Sequence, residues 1–272
     1  MMRFTEYRYP NEQFILCVTV LALGAVALFA AGTTLCLAPF LFGGMVVLAF
    51  LLNRTHHQEL MQRAVEVNPH TTPVLAGLAA DCLRGLRPGN VLIYLTHQRQ
   101  LNAYTFGVGD PKVVVLYSAL LEVMDEDELR FVLGHELGHV ALNHAWLNTL
   151  LGGMAGIPVS FGGAVILTLA FRWWNRACEN SADRAGLLAC GKPEKAVTAL
   201  VKLAYGAAGS PAELKRALTL IDREDDSPLN VLAEILSTHP MMIRRIEQLR
   251  RYAATPQYRR LQQLVERNQA HS

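Results

Sequence analysis

The 272-residue sequence predicts an α+β fold: a mainly helical domain with a small β-sheet, preceded by a transmembrane helical hairpin. Three observations carry that expectation. Two apolar runs without a charged residue, Phe14–Ala31 and Leu35–Leu52, follow one another near the N-terminus with only Gly32, Thr33 and Thr34 between them. A group of short β-prone segments lies between residues 91 and 117. The rest of the chain reads as helices punctuated by proline and glycine.

Each apolar run is near the roughly 20 residues that cross a hydrocarbon core. A cleaved signal peptide is the alternative for the first run. Its leader, Met1–Gln13, mixes Glu6 and Glu12 with Arg3 and Arg8 and so lacks a clean positive region, and a second run of spanning length follows at once. A hairpin has both ends on one side of the membrane. Arg3 and Arg8 flank its start and Arg54 and Arg63 its end, while the loop carries no Lys or Arg. Both ends are therefore expected on the cytoplasmic side. The chain divides into an N-terminal membrane anchor, residues 1–55, and a second domain, residues 56–272.

The net charge of +2 and the lack of a basic block argue against nucleic acid as a partner. Five cysteines, an odd number with no Cys-x-x-Cys pair, point to a reduced compartment rather than a disulfide framework.

Past the anchor, residues 54–68 read as a helix leaving the membrane and residues 73–84 as a second, stopped by the Gly85–Gly89 turn region. Val91–Leu95, Asn102–Val108 and Lys112–Tyr117, the last after a Gly109-Asp110-Pro111 turn, predict an antiparallel sheet of about three strands. Asp125 stands three residues before Glu128, a capping-box spacing, and the acids at 125–128 suit the positive end of a helix. That helix runs on through Phe131, Val132, His135, His139 and Leu142. Later helices are predicted at Pro193–Gly206, Pro211–Asp222, Pro228–Ser237 and Met241–Ala253.

The helix after Asp125 contains His135-Glu136-Leu137-Gly138-His139. Residues four apart share a helix face, so both imidazoles can hold one zinc ion from the same side. Glu136 is rotated by about 100° from His135 and lies beside the metal, placed to take a proton from water and return it to a leaving amine. A His-Glu-x-x-His string arises by chance in roughly one chain in a hundred of this size, so its helical, apolar setting matters. A catalytic zinc needs a third protein ligand and one open position. Glu179 fits, in a helical stretch where Asp183 follows four residues later and can accept a hydrogen bond from a ligand imidazole. His144 falls about 140° off the ligand face of a continuous helix and reads as structural or solvent-facing.

Together these pieces resemble the HtpX heat-shock proteases and type I CAAX prenyl proteases, gluzincin metallopeptidases with a zincin-type domain. The resemblance spans roughly residues 55 to 250. It rests on Asn102-Ala103, Asp127-Glu128-Leu129, Val132 to His139, Glu179 to Ala185, and Ser237-Thr238-His239-Pro240 with Arg244, Ile246 and Leu249. It implies one Zn2+ per chain on His135, His139 and Glu179, with Glu136 as general base. It also implies that Asn102 and Ala103 begin a strand beside the cleft and that His239 and Arg244 lie near it. His239 reads equally as a stabiliser of the tetrahedral oxyanion or as the close of a turn before Pro240.

A third apolar stretch, residues 147–171, separates His139 from Glu179. One crossing would part the two ligands, and two crossings need about 40 residues plus a turn. The expectation is a helical hairpin bent at Gly152–Pro158 that dips into or lies on the membrane, with Trp173 and Trp174 near the headgroups. A buried core hairpin is the alternative. HtpX-type proteins carry a longer insert here, and this chain departs from them.

The expected function is a membrane-anchored zinc endopeptidase that cleaves membrane or misfolded proteins. By resemblance it would reside in a bacterial inner membrane with its catalytic domain cytoplasmic. Its partners would be protein or peptide substrates and the lipid bilayer. The alternatives are an inactive membrane adaptor or chaperone that keeps the fold, and a prenyl-protein protease, for which the chain is short.

Overall fold

The computed structural model describes residues 6–33, 61–107, 109–144, 162–208 and 240–270, with isolated positions between 43 and 55. The first apolar run forms helix α1, Glu12–Thr33. Its segment Glu12–Phe29 is the one helix among the described residues long and apolar enough to cross a membrane. Protein does not cover it: Leu21, Leu28 and Phe29 are 71%, 77% and 75% exposed. The second predicted span, Leu35–Leu52, lies almost entirely outside the described residues, so the hairpin is not seen.

A four-stranded mixed sheet follows, in the order β1-β2-β4-β3. Strand β1 is Val65–Glu66, β2 is Val91–Thr96, β3 is Ala103–Phe106 and β4 is Lys112–Tyr117. β1 pairs antiparallel with β2, β2 parallel with β4, and β4 antiparallel with β3. Two expectations are corrected here. The sheet is mixed rather than antiparallel, because β4 inserts beside β2 and leaves β3 at the edge. The burial of β4 explains the choice: Val114, Val115 and Leu116 are all buried, on both faces, whereas every residue of β3 is only half-buried. A strand apolar on both sides takes a covered position. The helix expected over 54–68 also stops short, since Val65 and Glu66 pair with Leu95 and Tyr94.

The remaining helices are α2 (Pro73–Leu86), α3 (Ala119–Val123), α4 (Glu126–Ala141), α5 (Gly162–Cys190), α6 (Pro193–Ala208), α7 (Pro240–Ala253) and α8 (Pro256–Ala270). The capping box at α4 is present: Glu128 N–H donates to Asp125 at 3.0 Å and Asp125 N–H to the Glu128 carboxylate at 2.9 Å. Helix α4 lies in the middle of the core. Phe131, Leu133 and Leu137 cluster with Val114 and Leu116 of β4, Leu187 and Leu188 of α5, and Leu200 of α6. The predicted helices at 211–222 and 228–237, and the bend at 152–158, lie outside the described residues.

Helices α4 and α5 approach along a seam of small residues. A Cβ added at Gly138 would meet the Ala185 methyl at 2.7 Å, and one at Gly186 would meet the Phe131 carbonyl at 2.7 Å. Gly134 is closed in the same way by Ala189. This seam brings the motif helix within side-chain reach of the helix that carries Glu179.

The N-terminal segment is built into the same body. Tyr7 is fully buried in the main core. A second cluster joins Ile15 of α1 to Trp174, Ala177 and Cys178 of α5. Trp174, expected near lipid headgroups, is 2% exposed and packs inside this cluster, while its neighbour Trp173 is 46% exposed. Successive residues on a helix point about 100° apart, so the two indoles cannot share an environment.

Candidate metal centre

One turn of α4 separates His135 and His139, and their Nε2 atoms lie 3.2 Å apart. Glu179 completes a triangle, with Oε2 3.6 Å from His135 Nε2 and Oε1 3.5 Å from His139 Nε2. A tetrahedral zinc with bonds of about 2.0–2.1 Å has ligand–ligand edges of about 3.3 Å. The three edges fit that ion. The site is partly open, with His135 and Glu179 side chains 12% and 27% exposed. A cavity of about 370 Å³ adjoins it, lined by Glu179, Asn180, Trp173, Met241, Arg244 and Arg245.

The local charges also favour a cation. Burial alone would raise the Glu179 carboxyl, but Arg245 and the two imidazoles hold it well below the usual carboxylate range. Burial would lower the His139 imidazole, yet Glu179 and Glu136 raise it above its ordinary value. The Glu179 carboxylate thus faces the two ring nitrogens across an ion-sized gap.

Glu136 points elsewhere, as its helical phase requires. It is 6% exposed, and its Oε2 accepts a hydrogen bond from Thr105 Oγ at 2.7 Å. Thr105 belongs to β3, the last strand of the sheet among the described residues, so β3 runs beside Glu136. Ala103 opens β3 opposite Leu116. Asn102 precedes it, exposed, with its carbonyl accepting from Tyr117 N–H at 3.1 Å.

Each histidine has a partner behind it. His135 Nδ1 lies 3.0 Å from Asp183 Oδ1. Asp183 is in turn gripped by one edge of the Arg245 guanidinium, which donates from Nε at 2.8 Å and from a terminal nitrogen at 2.6 Å. Arg245 also reaches Glu179 at 3.0 Å. Burial opposes its ionisation, but Asp183 and Glu179 outweigh that and raise its pKa further. Arg245 is therefore the arginine that fastens the site. Arg244, the sequence expectation, is exposed and lines the cavity, one helical step round α7. His239 lies outside the described residues.

His139 Nδ1 lies 3.0 Å from Nδ1 of His144, which is 2% exposed. His144 is thus neither solvent-facing nor remote from the ligands, a correction to its phase on a continuous helix. The helix ends at Ala141, Asn143 takes a left-handed φ of 58°, and His144 N–H folds back to the His139 carbonyl at 2.9 Å. Asparagine two residues past a helix end is a known stop signal, and it could have flagged this return. Burial, partly offset by Glu12, keeps His144 below its ordinary value. Arg245 and Thr105 gave no comparable signal, because their partners lie 62 and 31 residues away.

Comparison with known proteins places this geometry. Peptidase family M48 matches residues 68–253, a span that includes both histidines, Glu136 and Glu179. The chain is 28% identical to the chloroplastic plastoglobule-localized metallopeptidase 48 of Arabidopsis thaliana, over 80% of this chain and 68% of that protein. It is 29% identical to a protease HtpX homolog of Ralstonia pickettii, over 73% and 80% of the two chains, and 26% identical to one of Aquifex aeolicus, over 70% and 74%. No solved structure matches. The chain belongs to peptidase family M48 and is a protease.

Proposed function

We propose that the chain is a membrane-anchored zinc endopeptidase acting on peptide bonds of membrane or misfolded proteins. The observation that carries this reading is the His135–His139–Glu179 triangle, whose edges of 3.2 to 3.6 Å suit one zinc ion. In this proposal residues 1–55 are the anchor and residues 56–272 the peptidase domain, on the cytoplasmic face of a bacterial inner membrane. The uncovered apolar face of α1 and the HtpX names of bacterial relatives support that placement.

Zinc held by these ligands supplies Lewis acidity toward a scissile carbonyl and lets water ionise near neutral pH. The chain's own groups do the rest. Glu136 takes the proton of the attacking water and returns it to the leaving amine nitrogen. The Thr105 hydroxyl, donating to Glu136 Oε2, fixes the orientation of that carboxylate. An extended substrate adds as a strand alongside β3, the last strand of the sheet among the described residues, which presents its carbonyls beside Glu136. Asp183 and Arg245 hold His135 and Glu179 in place.

The test is casein cleavage by detergent-purified full-length protein, wild type against Glu136→Gln, with zinc content measured on both. One zinc in each, and a loss of about 10²- to 10⁴-fold in turnover for the variant, is expected. Full activity in Glu136→Gln would remove the proposed base. Zinc in both and cleavage in neither would favour the inactive adaptor.

A further inference from the structure

We propose that Glu12, at the first turn of the apolar helix α1, is a positioning residue for the ligand His139 and acts through His144. The inference rests on reading His135, His139 and Glu179 as a zinc site. It concerns a residue 132 positions away in sequence from its partner, on the element expected only to hold the protein in a membrane.

The geometry is a buried line of three groups. His139 turns Nε2 toward Glu179 and His135, which leaves Nδ1 for the protein. That Nδ1 lies 3.0 Å from His144 Nδ1, and His144 Nε2 lies 3.1 Å from Glu12 Oε1. Exposure falls along the line, from 7% at His139 to 2% at His144 and 1% at Glu12.

Counting protons fixes the direction. A carboxylate oxygen only accepts, so His144 carries its hydrogen on Nε2 and donates to Glu12. With its Nε2 lone pair aimed at the metal position, His139 carries its hydrogen on Nδ1 and donates it to His144, which must meet it with a lone pair at its own Nδ1. The opposite tautomer of His144 would set two N–H groups against each other at 3.0 Å and point a lone pair at Glu12. Glu12 thereby selects the tautomer and ring orientation of His139 one residue removed. Partners of this kind behind a ligand imidazole tune metal affinity.

Glu12 is itself well anchored. Ser181 Oγ donates to its Oε2, and the Arg8 guanidinium pairs with its Oε1. Ser181 lies on α5 between Glu179 and Asp183 and also accepts from Tyr9 N–H at 2.8 Å. Arg184 donates to the Arg8 carbonyl at 3.2 Å and stacks over the Tyr9 ring. The start of α1 is therefore fastened to the helix that bears the third ligand.

Glu12, His144 and Cys178 also lie close enough to form a buried metal set of their own. The Arg8 cation already on Glu12 opposes that, and burial pushes the Cys178 thiol up, away from thiolate. The positioning reading gives Glu12 and His144 their partners without a second ion.

The test is a double-mutant cycle on full-length protein in detergent: wild type, Glu12→Gln, His144→Phe and the pair. Zinc content, zinc transfer to a chelating dye and the melting temperature of the metal-free forms are measured on each. The expected result is one zinc per wild-type chain and a 10- to 100-fold weaker hold on zinc in Glu12→Gln, about the effect of removing such a partner. The double variant is expected to lose no more than His144→Phe alone, because Glu12 acts only through that ring. If His144→Phe does not fold, His144→Gln replaces it. Wild-type zinc affinity in Glu12→Gln overturns the proposal, as do additive losses in the double variant. Two zinc ions in the wild type, falling to one in Glu12→Gln, overturn it in favour of a second metal site. A wild type without zinc overturns the zinc site itself, and the inference with it.

Discussion

The two histidines of α4 are one turn apart and chemically alike, yet they are braced from opposite ends of the chain by different means. His135 leans on a carboxylate directly, and that carboxylate is locked by an arginine from α7. His139 leans on a neutral histidine, and the carboxylate stands one ring further back, at the start of α1. The first brace is an ion pair in a buried setting, strong but costly to leave half-made. The second passes its charge through a hydrogen-bonded ring and is gentler. The contrast teaches that two histidines can share one helix while each answers to a separate part of the fold.

Breaking the ionic brace is expected to have the largest effect. Arg245→Met leaves Asp183, 1% exposed, without its counter-charge, and removal of one partner from a buried pair costs about 3–5 kcal/mol. Urea unfolding of the metal-free protein measures it; a loss below about 1 kcal/mol would show that water or another cation covers Asp183.

Asp183→Asn sharpens the comparison. The amide oxygen still accepts from His135, but the charge is lost and the amide nitrogen meets the Nε–H of Arg245, and zinc affinity is expected to fall about 10- to 100-fold. Titration beside Glu12→Gln ranks the two braces. A smaller loss in Asp183→Asn than in Glu12→Gln would reverse the order argued above.

Gly138→Ala strikes both braces at once. The new methyl meets Ala185 at 2.7 Å, so α4 and α5 must part by a fraction of an ångström. Overpacking of this kind costs about 1–3 kcal/mol. Melting temperature and zinc content are expected to fall together; an unchanged melting temperature would mean that the seam is slack.

Thr105→Val touches neither brace. It removes one hydrogen bond to Glu136, worth about 1.5–3 kcal/mol when the acceptor is charged, most of which relaxation and water recover. A several-fold drop in kcat with unchanged zinc content is expected. Loss of zinc in this variant would tie β3 to the metal rather than to the base.

Local patterns made much of this legible. The capping box at Asp125 and Glu128 placed the start of α4, and the four-residue spacings of His135–His139 and Glu179–Asp183 followed from helical period alone. Those are short-range relations, and the chain carries them wherever it folds. The sheet order was not legible, since β3 and β4 differ in burial rather than in β-propensity. Arg245 was not legible, because its partner Asp183 lies on another helix, 62 residues away.

The sequence by itself determined the candidate groups and their local spacing: two imidazoles on one helix face, a carboxylate about 100° round from the first, and a second helical stretch with an acid pair. Tertiary structure alone decided what stands behind them. The glycine–alanine seam set the distance between α4 and α5, the left-handed Asn143 returned His144 to the site, and the docked N-terminal segment delivered Glu12. Each of these depends on contacts between segments far apart in the chain, whose closure is set by packing and burial, and no local spacing records them.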